Sequence, residues 1–350
     1  MKRPQYLLTG AAVCLSALLL GCAKSPSESA TIDPAKLKVF APLPEVSPGK
    51  EPVTLEKVTL GRMLYYEARL SKSQKISCNS CHLLTRYGVD NEATSDGHKG
   101  QKGDRNSPTV YNASLHFVQF WDGRAPDVEA QAKGPVLNPV EMALTSEKQA
   151  IAVLKSMPEY VDAFKKAFPN DTNPVTYDNM GKAIGAFERK LLTPARWDKF
   201  LKGDQSALSA EEKAGFNTFV ASGCQTCHSG PLMGGSMYQK IGLVKPWPDT
   251  SDPGRSKVTK SEADKFMFKV PSLRNIEKTG PYFHNGKVAT LKESIAKMAD
   301  HQVGKTLSDA ELQSIETWMK SLTGEIPADY IKQPELPKST SKTPKPSEAD

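Results

Sequence analysis

Cys78-Asn79-Ser80-Cys81-His82 and Cys224-Gln225-Thr226-Cys227-His228 repeat one pattern, C-x-x-C-H. Two thiols at that spacing can form thioether bonds to a haem, and the adjacent imidazole can ligate its iron. A dithiol redox pair is the competing use of C-x-x-C, but it does not require the histidine that ends both copies. The pattern predicts two c-type haems. Cys78, Cys81, Cys224 and Cys227 are the attachment points, and His82 and His228 the proximal ligands.

The sixth ligands decide whether these haems only pass electrons. Beyond His228, Met298 lies at a distance suited to a small cytochrome c, and a thioether ligand stabilises reduced iron, as an electron relay needs. Leu291, Ile295 and Met298 also fall at helical spacing, so Met298 could equally be a core methionine. Met233, Met237 and Met267 compete with it. Around the first haem, His98 sits in Gly97-His-Lys-Gly-Gln-Lys-Gly103, which has no apolar residue to pin it to a core. A ligand on such a loop could leave iron at low cost; the alternatives are a surface histidine, or Met142 as a permanent ligand. Glu141 precedes Met142, and a carboxylate over an open haem face could move a proton between the two oxygens of a peroxide. Helix capping or surface exposure is the plainer use of that glutamate. Trp121, in Phe120-Trp-Asp-Gly-Arg124, is either a core aromatic or an electron bridge.

The chain starts as an exported protein does. Lys2 and Arg3 precede an apolar run from Leu7 to Leu20, and Leu19-Leu20-Gly21-Cys22 resembles a lipoprotein box. Residues 1–21 are then a signal peptide and Cys22 the lipidated first residue; cleavage near Ala23 is the alternative. The apolar run is shorter than the roughly 20 residues of a membrane span. Of six cysteines, four lie in the haem motifs, and removal of Cys14 and lipidation of Cys22 would leave no free thiol. The full chain carries +7, and loss of Lys2 and Arg3 leaves 44 basic against 39 acidic residues, or +5. That balance is too mild and too scattered to argue for nucleic acid.

Residues 22–50, rich in Ser and Pro, read as a tether and lead-in, and 333–350, rich in Pro, Ser, Thr and Lys, as a disordered tail. Between them the periodicity is helical. Ser209/Glu212 and Ser308/Glu311 form S-x-x-E capping boxes, and alternating β-branched runs are scarce. The expected architecture is all-α: two cytochrome c-like domains, 51–197 and 198–332, with one haem in each.

These residues, in this order, resemble the bacterial di-haem cytochrome c peroxidases, a family related to MauG. The resemblance covers about residues 50–330 and rests on RLSKSQKISCNSCH (69–82), GHKGQKGDRNSPT (97–109), FWDGRAPDVEAQAKGP (120–135), VEM (140–142) and FKVPSLRNIEKTGPYFHNG (268–286), together with the segment carrying Met298. It implies a peroxidase reducing hydrogen peroxide to water with electrons from a small periplasmic cytochrome c or cupredoxin. It makes His98 the displaceable ligand of the N-terminal haem, Glu141 the distal acid/base, Gln131 its support, Trp121 the inter-haem bridge and Met298 the relay ligand. MauG has a tyrosine at that last position. Asn106, Thr279 and Pro281 match positions that ligate an interdomain calcium in the family. His284 falls in a family motif without a firm role; His116 and His301 read as structural or surface residues. Dimers are common in the family. The chain is expected in the periplasm, anchored by lipid, with Ala23 after Cys22 favouring the outer membrane. A MauG-like oxidase and a non-enzymatic di-haem carrier are the rival readings.

Overall fold

The computed structural model describes Met1 and residues 30–49 and 52–347. The signal peptide and Cys22 lie outside the described residues. No helix among those described is long and apolar enough to cross a membrane.

Helices carry the fold. In the first half they are α1 (Leu55–Tyr65), α2 (Glu147–Lys155), α3 (Pro158–Ala167) and α4 (Tyr177–Glu188). In the second they are α5 (Ala210–Ala221), α6 (Leu291–Lys297) and α7 (Asp309–Met319). Short helical turns and irregular loops fill the spaces between them. Both expected capping boxes form: Ser209 Oγ accepts from the Glu212 N–H at 3.2 Å and Glu212 Oε2 from the Ser209 N–H at 2.9 Å, with Ser308 and Glu311 paired likewise. The all-α expectation needs one amendment. A short antiparallel ribbon joins β1 (Tyr238–Lys240) to β2 (Met267–Lys269).

Two apolar cores form. Leu60, Leu64 and Tyr65 make one stripe along α1 and pack on Ala183, Ile184 and Phe187 of α4, with α2 and α3 closing that core. The second core centres on Trp197, Phe216, Phe219 and Trp318, whose rings meet edge-on or tilted at 4.6–5.5 Å.

The chain ends cross over. Phe40, from the expected tether, meets Trp197 at 5.9 Å and Phe216 at 5.4 Å in the second core. Tyr330 and Ile331, from the end of the expected C-terminal domain, pack on the first: the Tyr330 ring stacks on Phe187 at 5.1 Å and its hydroxyl donates to the Phe187 carbonyl at 2.7 Å. Trp197 therefore belongs by packing to the second core and Ile331 to the first. A buried ion pair fixes the crossing point. Asp198 accepts from Arg274 at 2.6 and 2.9 Å, and also from the N–H groups of Leu43 and Ala195 at 2.7 Å each.

Of the segment expected to be a disordered tail, residues 333–347 lie among the described residues and 348–350 outside them. The described ones form no regular element, as their Pro and Ser content dictates, yet run across the first half. Arg69 donates to the Pro337 carbonyl at 2.8 Å and to Ser339 Oγ at 3.0 Å, and Gln74 donates to the Pro344 carbonyl at 2.7 Å. Thr340 donates to the Ser156 carbonyl at 2.8 Å, and the Ser347 N–H to the Lys72 carbonyl at 2.9 Å. Composition records how little apolar area a segment can bury; it does not record polar groups waiting on another surface.

Candidate active site: two cavities that share Trp121

The first C-x-x-C-H occupies the helical turn Cys78–Cys81 and the residue after it. Tyr65 donates to the His82 carbonyl at 2.8 Å and Tyr111 to the Leu84 carbonyl at 2.8 Å, so both ends of the turn are held by core phenols. Burial pushes the thiols of Cys78 and Cys81 up, to about 12 and about 11. His82 is held below the usual histidine range by burial, opposed by the Asp90 charge and by the backbone of Gly88 and Pro108.

A cavity of about 540 Å³ opens beside this turn, lined by Cys78, Cys81, His82, Trp121, Gln131 and Glu141 among others. Burial raises the Glu141 carboxyl above its ordinary range, opposed by a 2.7 Å hydrogen bond from Asn138 Nδ2 and by the Arg124 charge. A carboxyl raised that way takes and returns a proton more readily than an exposed glutamate. Met142 also reaches the cavity wall, from the packed first core.

His98 does not line that cavity. It is 4% exposed, so it is not a surface histidine, and neither ring nitrogen has a hydrogen-bond partner. Its loop is held through backbone rather than by apolar side chains. The His98 N–H donates to the Glu141 carbonyl at 2.8 Å and the Gly97 N–H to the Gln101 carbonyl at 2.8 Å. A Cβ on Gly97 would lie 1.8 Å from the Val140 carbonyl oxygen, so only glycine permits this approach.

The second motif lies on the turn Cys224–Thr226, after α5. His228 Nδ1 lies 3.0 Å from the Met233 carbonyl, which fixes Nδ1 as the donor and leaves Nε2 free to ligate. The adjoining cavity of about 220 Å³ is lined by Cys224, Cys227, His228, Phe219, Leu291 and Met298 among others. Of the methionines weighed from sequence, Met233, Met237 and Met267 are absent from that wall and Met298 is on it. Met319, on the core helix α7, lines it too and carried no sequence signal for ligation. Met298 begins a π-helical turn, Met298–Val303, directly after α6.

The cavities share a wall that includes Asn106, Phe120, Trp121, His116 and Lys269. Trp121 Nε1 donates to the Asn106 carbonyl at 3.0 Å, and the His284 ring lies edge-on to the indole at 6.4 Å while stacking on Phe268 at 4.3 Å. Asn106, Thr279 and Pro281 converge on the second cavity. Asn106 Nδ2 donates to the Glu92 carbonyl at 2.9 Å, which directs its Oδ1 elsewhere. No cluster of three or more His, Cys, Asp or Glu suited to a metal occurs among the described residues. His301, beside Trp247 at 5.1 Å, is peripheral as expected. His116 is not: its Nδ1 lies 2.6 Å from Lys269 Nζ in the wall between the cavities. Sequence reasoning passed over that pair and over Glu188, a fully buried carboxyl on the first cavity that desolvation pushes up to about 8.

A helix-rich chain with two cores, each bordering a cavity that opens on a C-x-x-C-H turn, defines a two-centre protein of the MauG-like kind. A family description, di-haem cytochrome c peroxidase, matches residues 55–206. The chain is 44% identical over 342 residues to the cytochrome c551 peroxidase of Pseudomonas aeruginosa, covering 95% of this chain and 98% of that one. It is 49% identical over 297 residues to the cytochrome c551 peroxidase of Nitrosomonas europaea, covering 84% and 87%. Its fold superimposes with a TM-score of 0.75 on a MauG-like protein associated with microbial copper homeostasis, at 26% identity, covering 83% of this chain and 97% of that one. The chain belongs to the di-haem cytochrome c peroxidases, and its activity is that of a cytochrome-c peroxidase.

Proposed function

We propose that this is a periplasmic enzyme reducing hydrogen peroxide to water with electrons from a small cytochrome c or cupredoxin, the C-terminal centre relaying them to the N-terminal one. The observation that carries the reading is the division of labour around Trp121. Trp121 lines both cavities, whereas Glu141 lines only the first and Met298 only the second.

Two haems, held at the four thiols and at His82 and His228, would supply redox-active iron for binding and reducing peroxide and for storing an electron. The residues fit them: four thiols on two turns, His82 on the wall of the first cavity, and His228 with its tautomer set by Met233. Glu141 takes the proton from one peroxide oxygen and delivers it to the other, with Gln131 supporting the pocket and Asn138 orienting the carboxylate. Trp121 spans the wall through which the electron passes.

His98 would be the displaceable ligand of that first iron. The motive for its movement is its ring, which has two buried nitrogens without partners, and a ring so placed is stabilised by ligation. Asn106 through Oδ1, with Thr279 and Pro281 through their carbonyls, would hold calcium at the junction, a hard cation suited to oxygen donors. Cys22 would carry the lipid that anchors the protein in the periplasm, with the outer membrane favoured, and the chain would pair as a homodimer.

Peroxide-dependent oxidation of a reduced small cytochrome c tests this, comparing fully oxidised protein with protein pre-reduced by one electron, calcium present in both. Turnover only after pre-reduction is expected. Turnover in both would keep the enzyme and discard the His98 gate. A MauG-like oxidation of a protein substrate is disfavoured by Met298 on the second cavity wall.

A further inference from the structure

We propose that Arg105 is a positioning residue for the electron path: together with Asn106 it fixes the plane of the Trp121 indole in the wall between the two cavities. The inference rests on the reading that Trp121 carries electrons between two haems.

Arg105 and Asn106 grip Trp121 and Asp122 at two consecutive points. The Trp121 Nε1–H donates to the Asn106 carbonyl at 3.0 Å, and Arg105 Nη1 donates to Asp122 Oδ2 at 2.6 Å. One dipeptide thus holds the indole through its main chain and the neighbouring carboxylate through its side chain. The other edge of the guanidinium reaches into the second half of the chain. There Nε and Nη2 donate to the two oxygens of Asp252 at 2.6 and 2.9 Å, and Asp252 also accepts from the Gly254 N–H at 2.9 Å. The side chains of Arg105 and Asp252 are 12% exposed and that of Asp122 4%.

The backbone of the tryptophan turn is held separately. The Trp121 carbonyl accepts from the Lys269 N–H of β2 at 2.8 Å, and the Asp122 carbonyl from Arg255 Nη1 at 2.9 Å. Neither bond sets the rotation of the indole. That is left to the Asn106 carbonyl. Asn106 is tied to the Glu92 carbonyl through Nδ2 at 2.9 Å and to the His284 carbonyl through its N–H at 2.8 Å. Arg105 links it to the carboxylate beside the indole.

A guanidinium between two carboxylates, taken largely out of water, adds little net stability, because desolvation offsets the attraction. Its planar fork does fix the directions of its partners. The contrast with the other tryptophans is informative. Of the chain's four, Trp197, Trp247 and Trp318 have buried indole nitrogens without partners, and only Trp121 has a bonded one. The tryptophan that lines both cavities is therefore the one held by a directed bond. One electron would leave the second haem through this indole for the first centre, with peroxide as the oxidant. Transfer through an aromatic ring depends on its distance and orientation to both ends, which is what Arg105 would secure.

The test uses holoprotein with two covalently bound haems and one stored electron. Ultraviolet resonance Raman reads the bonded indole N–H, a signal that belongs to Trp121 alone. Mixing with hydrogen peroxide reads reoxidation of the second haem by absorbance. Arg105→Met should shift the Raman band toward unbonded indole and delay that reoxidation behind the peroxide reaction at the first haem. An unchanged band would overturn the inference. Arg105→Lys should behave as Arg105→Met does, because an ammonium keeps the charge but cannot present a planar fork to both carboxylates. Wild-type behaviour there would show that charge alone acts, and would also overturn it. In a Trp121→Phe background, Arg105→Met should add no further delay. An equal further delay would mean that Arg105 acts independently of Trp121, against the proposal. Where Arg105→Met does not fold, Asp252→Asn takes its place, leaving the Asp122 bond intact; a wild-type band and reoxidation would count against the inference in the same way. If Trp121→Phe alone left reoxidation unchanged, the electron-bridge reading would fail, and this inference with it.

Discussion

The backbone N–H of His98 donates to the carbonyl of Glu141 at 2.8 Å. The residue proposed to leave one iron and the residue proposed to move a proton above it are therefore joined through main chain. Displacing the His98 loop would break this bond to the Glu141 main chain, so the proposed gate and the proposed proton-moving carboxylate would be mechanically coupled.

Glu141→Gln keeps the shape and the Asn138 contact but cannot exchange a proton. Peroxide turnover should fall by about 10²- to 10⁴-fold with both haems still attached, measured by steady-state oxidation of a reduced cytochrome alongside haem content. Turnover within a factor of two of wild type would remove the acid/base assignment.

His98→Ala removes the displaceable ligand without touching Glu141. Fully oxidised protein should then turn over without pre-reduction, seen as loss of the lag in stopped-flow assays. If the variant still needed pre-reduction, the gate would lie elsewhere.

Gly97→Ala places a methyl group 1.8 Å from the Val140 carbonyl oxygen, which the loop cannot accommodate in place. A destabilisation of about 1–3 kcal/mol is expected by chemical denaturation, together with altered ligation of the first haem in its absorbance spectrum.

Glu188 gives a pH dependence with a definite sign. Its folded value of about 8 lies above the ordinary glutamate range, so the folded state binds the proton more tightly than the unfolded chain does. This contribution is full below about pH 4 and is lost as pH rises through about 8. Glu188→Gln, which stays neutral, should flatten that decline in thermal stability. An unchanged pH profile would show that Glu188 titrates normally.

Removing residues 333–350 deletes the partners of Arg69, Gln74 and Ser156. Each such bond contributes about 0.5–1.5 kcal/mol net, so a measurable drop in melting temperature should follow, with faster proteolysis near Lys72. A melting temperature identical to the full chain would mean that this segment binds without stabilising.

Much of the protein is legible in its sequence because the relevant chemistry is local. A C-x-x-C-H turn, an S-x-x-E capping box and the apolar stripe of α1 each fit within a few residues, where geometry follows from helix pitch. The two C-x-x-C-H turns and the helical character of both halves could be read that way. Spacing and residue type raised Glu141 and Met298 as candidates among alternatives; resemblance chose them and alone supplied the calcium positions.

What only the tertiary structure decided are pairings between residues far apart in the chain. Met298 stands on the second cavity wall where Met233, Met237 and Met267 do not, because α6 and its π-helical turn bring it there. Trp121 borders both cavities, His116 meets Lys269, and residues 333–347 lie along the first half; no local period encodes these contacts. Sequence spacing sets which face of a helix or turn a side chain occupies, whereas burial and the cost of leaving a polar group unpaired select which distant face it meets.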